Sequence, residues 1–303
     1  MYDVIVVGGG PAGMTAALYA LRNGKSTLVL EKNGFGGQIT YSPQVENWPG
    51  TARMSGNEFA DAFLEQILDQ GAEVDLCEVI RVEDLGDRKA VYTAEGEVRE
   101  AKTVILATGV KHRTLGLEGE DALIGEGISF CAVCDGDFYQ DRTVCVAGGG
   151  NSALQEAILL AGKCAKVTVL QDLPELTGEK KLQQILRARE NVEIVCGVKI
   201  TALKTADGKM AGVTVTDAAG QETEIPCDGL FEAIGLIPEN AAFADLADLN
   251  ARGYFESDEG CETRTAGIFV AGDCRSKTVR QLTTAAADGA AAALAACRLI
   301  DAN

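Results

Sequence analysis

Twice in this 303-residue chain an apolar, β-branched run empties into a glycine turn, and that repeat limits the possible folds more than any other feature. The first copy runs Val4-Ile5-Val6-Val7 into Gly8-Gly9-Gly10-Pro11-Ala12-Gly13, and the second runs from Arg142 through Val146 into Gly148-Gly149-Gly150-Asn151-Ser152-Ala153. Runs that do not alternate belong to central parallel strands buried on both faces. The residues after the first strand have separable tasks. Gly8 permits the tight turn, Gly10 lets backbone approach a pyrophosphate, and Gly13 admits a helix close against the strand. Such a turn alone is weak evidence, because many serve structure only. Here Met14, Ala17, Leu18 and Leu21 predict an inward helix face, Ser26 to Leu30 a second strand, and Glu31, 23 residues after Gly8, stands where it can accept hydrogen bonds from a ribose diol. The second turn follows 140 residues after the first, with its own helix to Ala161 and strand from Lys166 to Leu170, and reads as an internal duplication.

The rest of the chain fits around these units. A long stretch without clear periodicity holds Gly36-Gly37-Gln38 and Val45-Glu46-Asn47-Trp48-Pro49-Gly50, an amphipathic helix is expected over 57–70, and strands lead to Ala107-Thr108-Gly109. The only histidine, His112, lies in a Gly- and Glu-rich crossover and reads as a solvated polar residue. Beyond the second turn a helix is expected over 182–189, Ile234-Gly235 closes the inserted part, and Ala271-Gly272-Asp273 precedes Arg280-Gln281-Leu282 and an alanine-rich terminal helix.

Charge narrows the function. With 27 basic and 45 acidic residues the formal net charge is −18, which repels polyanions, so nucleic acid is not an expected partner. No stretch has the length of a membrane span, and the start of the chain reads as a strand rather than a targeting signal, so a cytoplasmic protein is expected. Eight of the ten cysteines are scattered singly through apolar segments, as buried free thiols would be.

The remaining two are Cys131 and Cys134, followed by Asp135-Gly136, and they lie between the two nucleotide turns. Cysteines at this spacing can close a small ring and cycle between dithiol and disulfide when something nearby handles electrons. Zinc would need two further ligands at suitable spacing, and there is no second Cys-x-x-Cys, so no metal is expected.

Together the paired glycine turns, Val45 to Gly50, Cys131-Ala132-Val133-Cys134-Asp135-Gly136, Ala271-Gly272-Asp273 and Arg280-Gln281 resemble the low-molecular-weight bacterial thioredoxin reductases over nearly the whole chain. The resemblance implies an α/β protein of two Rossmann-like domains: a discontinuous FAD domain, 1–113 with 245–303, and an inserted pyridine-nucleotide domain, 114–244, that carries the redox pair and rotates. It implies a homodimer that passes electrons through FAD and the disulfide to thioredoxin. Carried over by position, the turn residues Gly8, Gly10, Pro11, Ala12 and Gly13 with Glu31, Gly37, Gln38 and Asn47 would hold FAD. Thr108, Gly109, Gly272, Asp273, Arg280, Gln281 and Leu282 would complete that site. Cys134 would lie against the flavin, Cys131 would attack the partner's disulfide, and Asp135 would manage the leaving thiolate's proton. Gly148, Gly150, Asn151, Ser152, Ala153 and Asp172 would hold the nicotinamide nucleotide.

The chain departs from the family at one place. Members that use NADPH usually carry a His-Arg-Arg run and a further Arg where this sequence has Gln171, Asp172, Leu173 and Thr177. None of these neutralises a 2′-phosphate, and an acidic residue at a strand end suits a free ribose, so NADH is the expected donor. Lys180 and Lys181 keep NADPH open, and ferredoxin is a third donor to weigh. A peroxiredoxin- or glutaredoxin-like acceptor and a non-catalytic flavin-bound redox sensor are the remaining alternatives.

Overall fold

A computed structural model of the chain describes residues 1–42 and 44–302. Taken in order, β1 (Tyr2–Val7) leads to α1 (Pro11–Arg22), β2 (Thr27–Glu31), α2 (Gly56–Asp69), β3 (Glu73–Leu76), β4 (Val79–Asp84), β5 (Lys89–Thr93) and β6 (Val98–Leu106). Next come β7 (Lys111–His112), α3 (Glu120–Leu123), β8 (Ile128–Ser129), α4 (Ala132–Asp135), β9 (Thr143–Ala147), α5 (Asn151–Leu160), β10 (Lys166–Gln171) and α6 (Lys180–Arg187). The strands β11 (Val192–Cys196), β12 (Val198–Ala206), β13 (Lys209–Asp217), β14 (Glu222–Pro226), β15 (Gly229–Glu232), β16 (Leu236–Ile237) and β17 (Ile268–Val270) precede the terminal helix α7 (Leu282–Asp301).

The chain divides into two compact units. One comprises Met1–Thr40, Trp48–Lys111 and Ile237–Asn303, and the other Tyr41–Asn47 and His112–Leu236. The short strands β7 and β16 pair where the chain passes between them. The return to the first unit therefore comes at Ile237, eight residues before the boundary at 245 drawn from sequence, and 41–47 groups with the second unit.

In the first unit β1 is flanked by β2 and β6, with β3 beyond β2 and β17 beside β6, all parallel, while β5 and β4 extend the other edge antiparallel. Both faces of β1 are covered. Val4 and Val6 pack with Met14, Ala17 and the alanines of α7, and Ile5 and Val7 pack with Val82, Val91, Phe243 and Phe255. This explains the unbroken apolar run, since burial of each such side chain is worth about 1.5–3 kcal/mol whichever face it points to. α1 and α7 approach so closely that a Cβ on Gly289 would stand 2.1 Å from the Ala12 carbonyl, which accounts for the alanine richness of α7. α2 starts where Ser55 accepts the Glu58 N–H at 3.1 Å and Glu58 accepts the Ser55 N–H at 2.7 Å, a reciprocal cap.

The second unit repeats the plan with a parallel sheet in the order β11, β10, β9, β15, β8. Val144 and Val146 face α5, and Cys145 and Ala147 face the antiparallel sheet of β12, β13 and β14. α6, expected over 182–189, begins two residues earlier. Asn151 Oδ1 takes the Glu179 N–H at 2.7 Å and fixes where that helix can start. Among the described residues no helix is long and apolar enough to cross a membrane.

Candidate functional site

The first glycine turn leaves the carboxyl end of β1 and caps α1 at Gly10, with Pro11 in the first helical turn. Gly8 has φ +111°, and a Cβ there would lie 2.3 Å from Ala107 O, while one on Gly13 would lie 1.8 Å from Gly8 O. Both positions therefore exclude any side chain. Glu31, at the end of β2, takes the Gly9 N–H on Oε2 at 2.6 Å and the Asn33 N–H on Oε1 at 2.9 Å, so it orders the turn itself. Gly37 lies over Gly10, where a Cβ would reach Gly10 Cα at 3.4 Å, and Gln38 donates to the Val110 carbonyl. Thr108 donates to Asn240 Oδ1 at 2.8 Å, and Gly109 follows with φ +64°.

Gly272 brings the segment before α7 onto the same turn, for a Cβ there would meet Ala12 Cβ at 2.7 Å. Its neighbour Asp273 has a buried Oδ1 without a hydrogen-bond partner, and burial raises its carboxyl above the ordinary range against the pull of Lys277 and Arg280. A buried acceptor with no hydrogen bond, its only ion-pair cation among the described residues Lys277 Nζ at 3.8 Å, beside an anion-ready glycine turn is what a sugar-bearing dinucleotide would satisfy, so the residues present fit FAD. Arg280 is held by its own loop: it donates to the carbonyls of Asp273, Arg275 and Lys277 and stacks 4.3 Å over the Tyr254 ring. Gln281 and Leu282 then open α7, where Gln281 forms a reciprocal cap with Thr284. Of the residues expected at this site, Asn47 alone falls in the segment grouped with the second unit.

Sequence reasoning missed two organisers here. Asp288 of α7 binds Arg275 at 2.7 Å, Lys277 at 3.0 Å and the Gly272 N–H at 3.1 Å, and Asn240 donates to the carbonyls of Gly253 and Cys274. Each is a lone polar residue whose partners are distant in sequence, so no local pattern marks it.

In the second unit Cys131 and Cys134 are joined as a disulfide, with Cα atoms 5.3 Å apart, across the single turn α4. The Cys134 N–H points at Cys131 Sγ at 3.2 Å. Both cysteines are half-buried, and Val133 between them is 57% exposed, so the turn presents an apolar tip to solvent. Behind it Ser129 of β8 links the parts: its Oγ accepts the Cys131 N–H at 3.1 Å and donates to Asp135 Oδ2 at 2.6 Å. Asp135 is buried, its Oδ1 lacks a partner, and burial raises its carboxyl, opposed by the Ser129 hydroxyl. Ser129, two residues before the first cysteine, went unmarked in the sequence because serine so placed is ordinarily a turn residue.

The second glycine turn copies the first. Gly150 caps α5, which carries Asn151, Ser152 and Ala153 in its first turn, and Gly149 O takes the N–H groups of Thr177 and Gly178 at 2.9 and 2.8 Å. Gln171 stands where Glu31 stands in the first unit and packs over Gly149, while Asp172 is exposed. Beyond them Glu175, Thr177, Lys180, Gln183 and Arg187 line a cavity of about 440 Å³. Arg187 was not anticipated. His112 differs from its sequence reading: it stacks on Phe130 at 4.4 Å, and burial lowers it to about 4, so it is neutral in the physiological range. Its apolar ring faces, rather than its polarity, decide its place.

Two sheets of parallel strands, each ending in a dinucleotide-type glycine turn, with a disulfide on one of them, define a nucleotide-dependent disulfide oxidoreductase. The family model for pyridine nucleotide-disulphide oxidoreductases matches residues 2–289. Thioredoxin reductase of Bacillus subtilis (strain 168) is 38% identical over 294 residues, covering 97% of this chain and 93% of the relative. Thioredoxin reductase of Listeria monocytogenes is 39% identical over 290 residues, 95% and 91% of the two chains. The crystal structure of thioredoxin reductase from Streptococcus pyogenes MGAS5005 is similar with a TM-score of 0.94 at 38% identity, covering 100% of this chain and 99% of that one. The chain therefore belongs to the pyridine nucleotide-disulphide oxidoreductases, in the branch of low-molecular-weight thioredoxin reductases.

Proposed function

We propose that the chain is a thioredoxin-disulfide reductase that draws electrons from NADH and passes them, through FAD, to Cys131–Cys134 and on to thioredoxin or a thioredoxin-like protein. The observation that carries this reading is the closed disulfide on a half-exposed turn with the buried Asp135 carboxyl hydrogen-bonded behind it. In this reading Gly8, Gly10, Gly13, Glu31, Gly37, Gln38, Gly272 and Asp273 would hold FAD, Asp273 through an Oδ1 that has no hydrogen bond within the chain, with the positive N-terminal end of α7 at Gln281 and Leu282 favouring negative charge there. Bound FAD supplies two-electron exchange between a nicotinamide and a disulfide.

The chain's own residues do the rest. Two electrons and a proton open Cys131–Cys134 to a thiol and a thiolate. The Cys131 thiolate attacks the acceptor disulfide, forming a mixed disulfide and expelling an acceptor thiolate. Asp135, held protonated more readily than a surface carboxyl by its burial, donates a proton to that leaving sulfur and, now a carboxylate, takes the proton of the Cys134 thiol; the Cys134 thiolate then attacks Cys131 Sγ, re-forms the Cys131–Cys134 bond and releases the second acceptor sulfur as a thiolate. NADH is favoured because Asp172, Leu173 and Thr177 offer a 2′-phosphate no cation, and exposed Asp172 suits a ribose diol. Lys180 and Arg187 in the neighbouring cavity are the residues through which NADPH would compete.

Anaerobic mixing of the yellow holoprotein with equal NADH or NADPH tests the donor: faster bleaching by NADH is expected, faster bleaching by NADPH reverses the reading of Asp172, and bleaching only by reduced ferredoxin removes nicotinamide from the cycle. Cys131→Ser should abolish thioredoxin reduction while flavin reduction persists. Turnover of thioredoxin by that variant would take the pair out of the mechanism. A second copy of the chain completes the proposed assembly, and sedimentation at monomer mass would refute it.

A further inference from the structure

Between β17 and the second turn of α7 two aspartates face the same ammonium group at unequal distances. Asp288 takes Arg275 Nη1 on Oδ1 at 2.7 Å, and takes Lys277 Nζ and the Gly272 N–H on Oδ2 at 3.0 and 3.1 Å. The next residue, Gly289, lies where a Cβ would stand 2.1 Å from the Ala12 carbonyl, so this carboxylate is fixed against the helix that leaves the first glycine turn. Lys277 Nζ is also 3.8 Å from Asp273 Oδ1, which is beyond hydrogen-bond range. Asp288 therefore holds the ammonium, and Asp273 Oδ1 stays buried without a hydrogen bond.

We propose that Asp288 is a positioning residue of the FAD site: it holds Lys277 back from Asp273 and so keeps the Asp273 oxygen open to the flavin nucleotide. The other cations of the loop have anchors that do not depend on Asp288. Arg275 donates to Ser257 Oγ at 2.7 Å and to the Asp258 carbonyl, and Arg280 donates to the carbonyls of Asp273, Arg275 and Lys277 and lies over the Tyr254 ring. Lys277 is different, because among the described residues the two aspartates are its only ion-pair partners. The side chains of Lys277 and Asp288 are 13% and 16% exposed, so solvent screens their attraction little. Without the Asp288 charge, a shift of about 1 Å brings the ammonium into contact with Asp273 Oδ1. A charge-assisted hydrogen bond would then fill the acceptor from within the chain, and a ligand donor would have to displace it.

This deepens the reading of the first glycine turn as an FAD site and rests on it. Asp288 acts through Lys277 rather than by touching the nucleotide, so removing Lys277 should undo the loss of Asp288.

Release of FAD from the holoprotein, diluted into flavin-free buffer and followed as the rise in flavin fluorescence, tests it. Asp288→Asn keeps the size of the side chain and an oxygen for the Gly272 N–H but loses the charge, and should release FAD at least about tenfold faster. Adding Lys277→Met to that variant should return release to within about twofold of the wild type, and Lys277→Met alone should not speed it. A double variant that releases FAD as fast as Asp288→Asn would make the carboxylate a brace of the loop only and overturn the inference. Wild-type release from Asp288→Asn, or faster release from Lys277→Met alone, would overturn it as well. Wild-type protein that neither carries nor takes up FAD would instead sink the reading of the site itself.

Discussion

Glu232 ends β15 beside Ala147 with 2% of its surface exposed, and neither carboxyl oxygen has a hydrogen-bond partner. Burial first, and then the charge of Glu120, pushes it up to about 9 from an ordinary 4.5. Glu120, equally buried, spends its two oxygens on the N–H groups of Leu115 and Leu117, each at 2.7 Å, and offers Glu232 no relief. The sign follows from the raised value: the folded chain holds a proton that the unfolded chain releases above about 4.5. Stability from this group is full below that pH, and is lost as pH rises toward about 9. At about 1.36 kcal/mol per pH unit, the cost accumulated by pH 7 is roughly 3 kcal/mol. Glu232→Gln removes the titration and gives Glu120 an amide donor. The variant should therefore match the wild type near pH 5 and exceed it increasingly above, by up to roughly 3 kcal/mol at pH 7, which for a chain of this size is on the order of 6–12 °C in apparent Tm. Thermal melts of holoprotein in steps from pH 5 to 8.5 read the difference. A gap that does not grow with pH would refute the reasoning, because a better-packed amide would give a constant offset.

Three other substitutions follow from geometry. Gly13→Ala places a methyl 1.8 Å from Gly8 O, so the variant should lose bound flavin and at least about 2 kcal/mol of stability, checked by the absorbance ratio of flavin to protein and by urea unfolding. Ser129→Ala frees the Cys131 N–H and removes the donor to Asp135 Oδ2, so the Asp135 titration should move to higher pH in the pH profile of thioredoxin turnover; an unmoved profile would detach Ser129 from the acid. His112→Gln should leave that profile unchanged between pH 6 and 8, since the ring is already neutral there, and a lost break in this window would contradict its burial on Phe130.

The parts of the fold that could be read in the sequence are those with a local physical signature. The runs at Val4–Val7 and Val144–Val146 show burial on both faces, and Gly8 and Gly13 show backbone that meets backbone. The cysteine spacing shows ring closure. What stayed hidden depends on tertiary approach. Ser129 and Asp135 are six residues apart yet meet only because α4 folds back on β8, and Glu120 meets Glu232 across the sequence of almost the whole second unit. A lone polar residue carries no period, so its burial is decided by partners that a sequence pattern cannot bring together.

The duplicated turns show where specificity must lie. In both units the loop after the second strand folds back on the middle glycine: Gly36 N–H binds Gly9 O at 2.8 Å, and Thr177 and Gly178 bind Gly149 O at 2.9 and 2.8 Å. The backbone cradle is therefore common, and selection between nucleotides has to come from the side chains at the strand end. In the first unit Glu31 turns inward and is engaged with the Gly9 N–H; in the second, Gln171 covers Gly149 and the acid is displaced one residue, to exposed Asp172. An exposed acceptor binds a ribose diol through one or two charge-assisted hydrogen bonds, each worth about 1.5–3 kcal/mol at most and less when solvated. On the proposed use of NADH, Asp172→Ala should raise the KM for NADH by roughly tenfold with little change in kcat, and should shift the ratio of the two donors toward NADPH because a repelling charge has gone. An unchanged NADH KM would move the ribose contact away from Asp172 and leave Lys180 and Arg187, across the cavity, as the residues that set the donor.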